Sequence, residues 1–293
     1  MNDIAILAGV LLAGLFILLI DLFFPKIKKY EFSEAKIHDS LSIIMLSDLH
    51  GRTVLMSERK SIRKIRKCKP DLILLAGDMI TTRQTHNYES TCNYLEQLSE
   101  IAPVYYSLGN HEQKALLPSS KYYENGQLYL NKLKENPSIQ ILDNQKAIVK
   151  HGNSTIYIHG LSLSSDFFIK KPQHNQPSPD IHGYLGEMNH RECNILLAHH
   201  PKYMKQYVEW GADYIFSGHY HGGILRIPLI GGVISPEFQL FPKYSGGSYL
   251  FGKQHGIVSR GIGIHTFPIR FLNRSQIVHV KLVPCIEKPT IIQ

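Results

Sequence analysis

Short runs of strand-forming residues in this chain repeatedly stop at residues that bind metals. Leu41–Leu46 runs into Ser47-Asp48-Leu49-His50, and Asp71–Ala76 into Gly77-Asp78. Val104–Ser107 leads to Gly109-Asn110-His111-Glu112, Ile195–Ala198 to His199-His200-Pro201, and Asp213–Phe216 to Gly218-His219-Tyr220-His221. A strand that ends at a carboxylate or imidazole places it at the C-terminal edge of a sheet, where α/β proteins keep their chemistry. Charged helical segments lie between the runs, over about 57–69 (broken at Pro70), 88–100, 122–135 and 203–210. That alternation predicts an α/β fold. Further short strands are expected within 139–149, 155–159, 248–251, 256–259 and 276–282.

With 293 residues, 43% of them hydrophobic, the chain can bury one large core or two small ones. Its formal charge of +8 favours approach to anionic partners but does not decide the fold. Nucleic acid is disfavoured, because no basic stripe is interleaved with stacking aromatics and no zinc-finger spacing occurs. Cys68, Cys92, Cys193 and Cys285 form no CxxC pair, so they read as ordinary reduced cysteines.

Residues Ile4–Ile20 carry no charge, and Lys26, Lys28 and Lys29 follow closely. An apolar helix needs roughly 20 residues to cross a bilayer. The lysines lie on the wrong side of the run for a signal peptide, and no twin-arginine sequence precedes it. Residues 1–24 therefore read as a single-pass anchor and 25–40 as a juxtamembrane linker. A folded domain is expected over 41–284, and 285–293 as a tail. The positive-inside rule puts that domain on the cytoplasmic side of the cell membrane. A polar passage over 160–187 reads as an insertion beside the site.

Asp48 and His50, two apart at a strand end, can converge on one ion. Asp78, freed by Gly77 to approach closely, can bridge two cations, while Asn110 adds a neutral oxygen. His199, His219 and His221 are borderline nitrogen donors that suit manganese, iron or zinc better than magnesium. Singly, each has an ordinary alternative: Asp48 as a helix cap, Asp78 and Asn110 as turn residues, His200 as a surface histidine. Their joint placement after strands points to two adjacent metal ions and hydrolysis at phosphorus.

In order, Asp-x-His, Gly-Asp, Gly-Asn-His-Glu, His-x-Pro and Gly-His-x-His resemble the calcineurin-like metallophosphoesterases, over about Leu41 to Leu282. The resemblance implies a four-layer fold, two mixed β-sheets packed face to face and flanked by helices, here with an N-terminal transmembrane helix. It implies one metal held by Asp48, His50, Asp78 and His221, and a second by Asp78, Asn110, His199 and His219. Manganese is the expected ion, with iron or zinc as alternatives. His111 is implied to hydrogen-bond or protonate the leaving oxygen as catalytic acid, and Glu112, where many relatives have aspartate, to support His111. Gly218–Gly223, Arg226 before Pro228, and Ser259-Arg260-Gly261-Ile262-Gly263 are similar to bacterial membrane-associated phosphohydrolases of the YkuE and YaeI kind. Some of that group cleave model phosphodiesters, and others the pyrophosphate of UDP-2,3-diacylglucosamine.

Arg52, Arg226 and Arg260 are candidates to bind a second phosphate. The expected partners are a phosphorylated small-molecule or lipid substrate and the membrane; no specific protein partner is indicated. A protein phosphatase or nuclease on the same site, and a non-catalytic tethered binding module, are the alternatives.

Overall fold

The computed structural model describes residues 2–51, 55–82, 88–168, 178–223, 225–227, 230–263 and 270–285. It opens with helix α1 (Asn2–Phe23), long and apolar enough to cross a membrane, whose aliphatic side chains are exposed along most of its length. Its last turn is different. Asp21 is buried, with its carboxylate accepting from Asn273 N at 2.9 Å and its carbonyl from Ser275 N at 3.1 Å. The helix therefore ends docked on the domain that follows it.

The next segment corrects the expectation of a linker. Lys26–Glu34 is strand β1, paired in parallel with the last strand, β14 (Gln276–Pro284), over the whole of its length. Three lysines within four positions hide its alternation. Lysine on an edge strand discourages unwanted pairing, and only Ile27, Tyr30, Phe32 and Glu34 need turn inward. The folded domain thus begins at residue 26, not 41. Of the expected tail, Cys285 is exposed after β14 and 286–293 lie outside the described residues.

β2 (Leu41–Leu46), β3 (Leu72–Ala76), β4 (Val104–Ser107) and β5 (Ile139–Ile141) complete the first sheet, ordered β1-β14-β2-β3-β4-β5. The second contains β6 (Gln145–His151), β7 (Ser154–Leu161), β8 (Cys193–Ala198), β9 (Tyr214–Ser217), β12 (Gly247–Phe251) and β13 (Gln254–Val258). Its order is β12-β13-β9-β8-β7-β6. A short ladder, β10 (Arg226–Ile227) with β11 (Gly231–Gly232), stands apart. Both large sheets mix parallel and antiparallel pairs.

Central strands such as β2 and β3 are apolar on both faces because both faces are covered. Ile43, Met45, Leu72 and Leu74 meet Ile156, Ile158, Ile195 and Leu197 of the facing sheet. Ile44, Leu46, Ile73 and Leu75 instead pack under α2 (Leu55–Cys68), α3 (Glu89–Ser99) and α5 (Tyr123–Lys134). α4 (Asn110–Leu116) and α6 (Ile181–Leu185) are shorter. α7 (Met204–Trp210) covers the second sheet through Met204, Tyr207 and Trp210. Each such buried side chain contributes about 1.5–3 kcal/mol. The four cysteines are unpaired.

A chain starting at residue 38 would lack β1 and expose the edge of β14. We expect it to melt about 4–8 °C below one starting at residue 25, the shift for a loss of about 2 kcal/mol in a domain of this size. Thermal denaturation of the two would show equal midpoints if β1 were dispensable.

Candidate metal centre

Both sheets contribute to one site. The ends of β2, β3 and β4 supply Asp48, His50, Asp78, Asn110 and His111, and those of β8 and β9 supply His199, His219 and His221. Asp48, His50, Asp78, His219 and His221 all have positive φ, between 51° and 66°. Left-handed backbone at a non-glycine residue costs energy and clusters at functional sites; aspartate and histidine tolerate it better than β-branched residues. Here it turns each ligand phrase back toward the seam between the sheets.

The side chains converge in overlapping groups. Ligand atoms of Asp48, His50 and His221 lie within 4.8 Å of one another, as do those of His50, Asp78 and His111, and of Asp78, His199 and His219. His50 Nε2 is 2.9 Å from His221 Nε2, and His221 Nε2 is 3.4 Å from Asp48 Oδ1. His199 Nε2 lies 3.1 Å from Asp78 Oδ2 and 3.9 Å from Asp48 Oδ1. Asp78 therefore stands between two clusters. Close approach requires glycine at Gly77, where a Cβ would come 2.6 Å from His199 Nδ1 and 2.7 Å from Gly109 Cα.

Burial and charge act in opposition here. Burial raises the Asp48 carboxyl, with the Asp78 charge adding to the rise against the pull of His199. Burial would also raise Asp78, but His199, His111 and His50 overcome it and hold Asp78 well below the usual carboxylate range. Burial would lower His199, yet Asp78 and Asp48 drive it up to about 10. A buried site with that negative field calls for positive charge. Asn110 agrees: its Oδ1 is buried with no hydrogen-bond partner among the described residues, a cost of about 1–3 kcal/mol unless a ligand takes it up. The residues present fit a pair of divalent cations in donor type, convergence and charge.

Hydrogen bonds separate metal donors from proton donors. His199 Nδ1 donates to Ala76 O at 2.7 Å, so neutral His199 offers its Nε2 lone pair to an ion. His111 is wired the opposite way. Thr82 N donates to its Nδ1 at 3.0 Å, leaving Nε2 to carry the proton. Neutral His111 is thus a hydrogen-bond donor at Nε2.

Several residues had no such role in the sequence reading. Glu112 does not support the His111 imidazole. Its carboxylate accepts from the backbone N of Asp78 (2.9 Å), Gly109 (2.9 Å) and Ile80 (3.0 Å), and from Tyr106 Oη (2.7 Å), tying two ligand loops together. The available signal was a Glu three residues after a helix N-cap. His200 is fully buried rather than at the surface, with Nε2 2.8 Å from Glu237 Oε1. His219 Nε2 shares that oxygen at 3.4 Å, which leaves His219 Nδ1 for an ion. Burial opposes ionisation of Glu237, but His200 and His219 outweigh it and lower its carboxyl; burial and His219 push His200 down to about 3. No motif or strand marked Glu237. Phe168 stacks on His200 with centroids 5.0 Å apart, so the start of the expected insertion touches this cluster, while 169–177 lie outside the described residues. Arg52 also lies outside them; Arg226 and Arg260 lie beside the Gly218–Gly223 loop.

Two mixed sheets with paired metal-ligand clusters at their common edge define a metallophosphoesterase-type centre. Residues 41–223 match the family model for calcineurin-like phosphoesterases, and the chain belongs to that family. It is 27% identical over 266 residues to an uncharacterized metallophosphoesterase of Helicobacter pylori (strain ATCC 700392 / 26695), covering 89% of this chain and 64% of that protein. The chain thus spans under two thirds of that relative. It is 28% identical over 243 residues to the phosphodiesterase YaeI of Escherichia coli (strain K12), covering 82% of each. It is also 25% identical over 228 residues to the UDP-2,3-diacylglucosamine pyrophosphatase LpxG of Chlamydia trachomatis (serovar D), covering 64% of this chain and 65% of LpxG.

Glu112→Gln would turn an amide N–H₂ toward backbone donors that need an acceptor. We expect a loss of about 2–4 kcal/mol in urea denaturation, since removing one partner leaves buried polar groups unsatisfied. Glu237→Gln keeps one acceptor oxygen and should weaken zinc or manganese binding about 10–100-fold, read by competition with a chelating dye. Unchanged stability in the first case, or unchanged affinity in the second, would contradict these roles.

Proposed function

We propose that the protein is a membrane-anchored two-metal phosphohydrolase that cleaves phosphodiester or pyrophosphate bonds, with a lipid-linked or envelope-precursor substrate. The observation that carries this reading is the position of Asp78 between two ligand clusters, with His111, a Nε2–H donor, next to it. In this reading Asp48, His50, Asp78 and His221 hold one ion and Asp78, Asn110, His199 and His219 the other, with manganese, iron or zinc suited to the donors. When bound, such a pair supplies Lewis-acid neutralisation of phosphoryl oxygens and activation of water.

The chain's own groups do the rest. Glu112 holds the Asp78 and Gly109 backbones in place, so that the ligand loops need little rearrangement when substrate arrives. Thr82 orients the His111 ring, whose Nε2 proton is available to the departing oxygen. Phe168 packs on the rings of His200 and His219, with centroids 5.0 and 5.3 Å away, and so covers one side of the second cluster.

The lipid reading is supported by the exposed apolar α1 and by the likeness to LpxG. The basic face of α2 adds to it at the end of α1, where Lys60 Nζ lies 4.2 Å from the Phe24 ring centroid and Lys64 Nζ donates to Pro25 O at 2.6 Å. Lysines there would face anionic headgroups. The three lysines after α1 favour a cytoplasmic catalytic domain.

The test is hydrolysis by the full chain in detergent with manganese, using bis-p-nitrophenyl phosphate, UDP-2,3-diacylglucosamine and a phosphopeptide. We expect turnover of the diester and the UDP-lipid, with His111→Ala lowering kcat about 10²–10⁴-fold. Elemental analysis should find two ions per chain and fewer in Asp78→Asn. Turnover of the phosphopeptide alone would replace this reading with a protein phosphatase, and metal binding without turnover would leave a binding module.

A further inference from the structure

Two arginines border the metal centre, and the Asp21 charge acts on one of them, Arg260, without forming an ion pair. Arg226 and Arg260 flank Gly246, where a Cβ would lie 3.0 Å from Arg260 Cγ, 3.6 Å from Arg260 Nε and 3.7 Å from Arg226 Nη1. Gly246 is buried at φ 146°, so the two guanidiniums approach each other over a residue with no side chain to separate them. Arg226 Nη1 donates to Gly222 O at 3.1 Å and weakly to Ser245 Oγ at 3.4 Å. Arg260 Nε is buried and has no hydrogen-bond partner among the described residues. Neither arginine pairs with a carboxylate among those residues.

Like charges brought together under partial burial are unfavourable. Burial lowers the pKa of both, and the Arg226 charge lowers Arg260 further. An anion between them would reverse that balance, because planar guanidiniums bind phosphate bidentately. The hydroxyl of Tyr30 is an electrostatic neighbour of both and offers a further donor, while that of Tyr249 donates to Gly246 O at 3.3 Å.

Their position gives the anion a meaning. Gly222, the acceptor for Arg226, directly follows His221, and a Cβ on it would lie 3.1 Å from Arg260 Cγ. Gly261, next to Arg260, backs onto Asp48 and His221, with Cβ-site distances of 2.8 and 3.3 Å. On the other side, Asn273 Nδ2 donates to His221 O at 2.8 Å while its backbone N donates to Asp21 at the end of α1. The pair therefore sits between the metal ligands and the docked end of the apolar helix.

We propose that Arg226 and Arg260 form an anion subsite for a phosphate that is not cleaved, adjacent to the phosphate at the metals. Two sources share that chemistry: the second phosphate of a diphosphate substrate, and the headgroup of an anionic phospholipid. The proposal rests on the phosphohydrolase reading, and its test separates the two.

Calorimetry on the full chain in detergent with EDTA would measure binding of inorganic pyrophosphate by the parent, Arg226→Gln, Arg260→Gln and Arg260→Lys. We expect at least tenfold weaker binding in both glutamine variants and a smaller loss in the lysine variant. With manganese, the glutamine variants should raise KM for UDP-2,3-diacylglucosamine at least tenfold with kcat within threefold. The loss of kcat/KM on bis-p-nitrophenyl phosphate, which has one phosphate, should be several-fold smaller. Competition by phosphatidylglycerol in mixed micelles but not by phosphatidylcholine would assign the site to a headgroup, and its absence to the substrate. Unchanged pyrophosphate binding, or equal losses on both substrates, would overturn the subsite. A parent that binds pyrophosphate through these arginines but hydrolyses nothing would overturn the phosphohydrolase reading and leave the subsite standing.

Discussion

Two carboxylates, Asp48 and Asp78, are buried where the edges of two β-sheets meet, 0% and 2% exposed. Burying like charges side by side is strongly unfavourable unless positive charge and hydrogen-bond donors surround them. Much of the local structure answers that demand. Asp48 Oδ1 accepts from His219 N at 2.9 Å, and Asp78 Oδ1 from His111 N at 2.9 Å, so each carboxylate is tied to the backbone of another ligand phrase. Left-handed turns at the strand ends bring those backbones close, and glycines clear the space. The electrostatic demand that remains is what a pair of divalent cations satisfies.

Around this centre the imidazoles look alike in composition and differ in wiring. His199 gives its Nδ1 proton to a backbone carbonyl and turns a lone pair inward, whereas His111 takes a backbone N–H at Nδ1 and keeps its own proton at Nε2. The partners that decide this, Ala76 and Thr82, are ordinary loop and strand residues. Glu112 and Glu237 extend the same principle outward, one fixing backbones and the other the ring of His219. These supports fix the orientation of the ligands.

Much was legible beforehand. Strand runs ending in Asp48, Asp78, His199 and His219 announced the sheets and their functional edge, because apolar runs bounded by polar phrases have few other uses in a soluble fold. The helices over α2, α3 and α5 were legible for the same reason. β1 was not, since Lys26, Lys28 and Lys29 mimic a solvated linker, and an edge strand is stabilised by pairing with β14, some 250 positions away in the sequence. Glu237 was invisible because nothing local distinguishes a loop glutamate that meets two histidines from one that meets water.

The sequence by itself determined which chemistry was available: carboxylate, amide and imidazole donors in an order that implies paired metals, and an apolar helix at the start. Residue types and periodicity are local properties and survive in one dimension. Only the tertiary structure decided which donors converge, which imidazole keeps its proton, and that Arg226 and Arg260 stand together without an ion pair among the described residues. Those are relations between groups far apart in the chain, and their energies depend on distance and burial, which exist only once the two sheets have closed on one another.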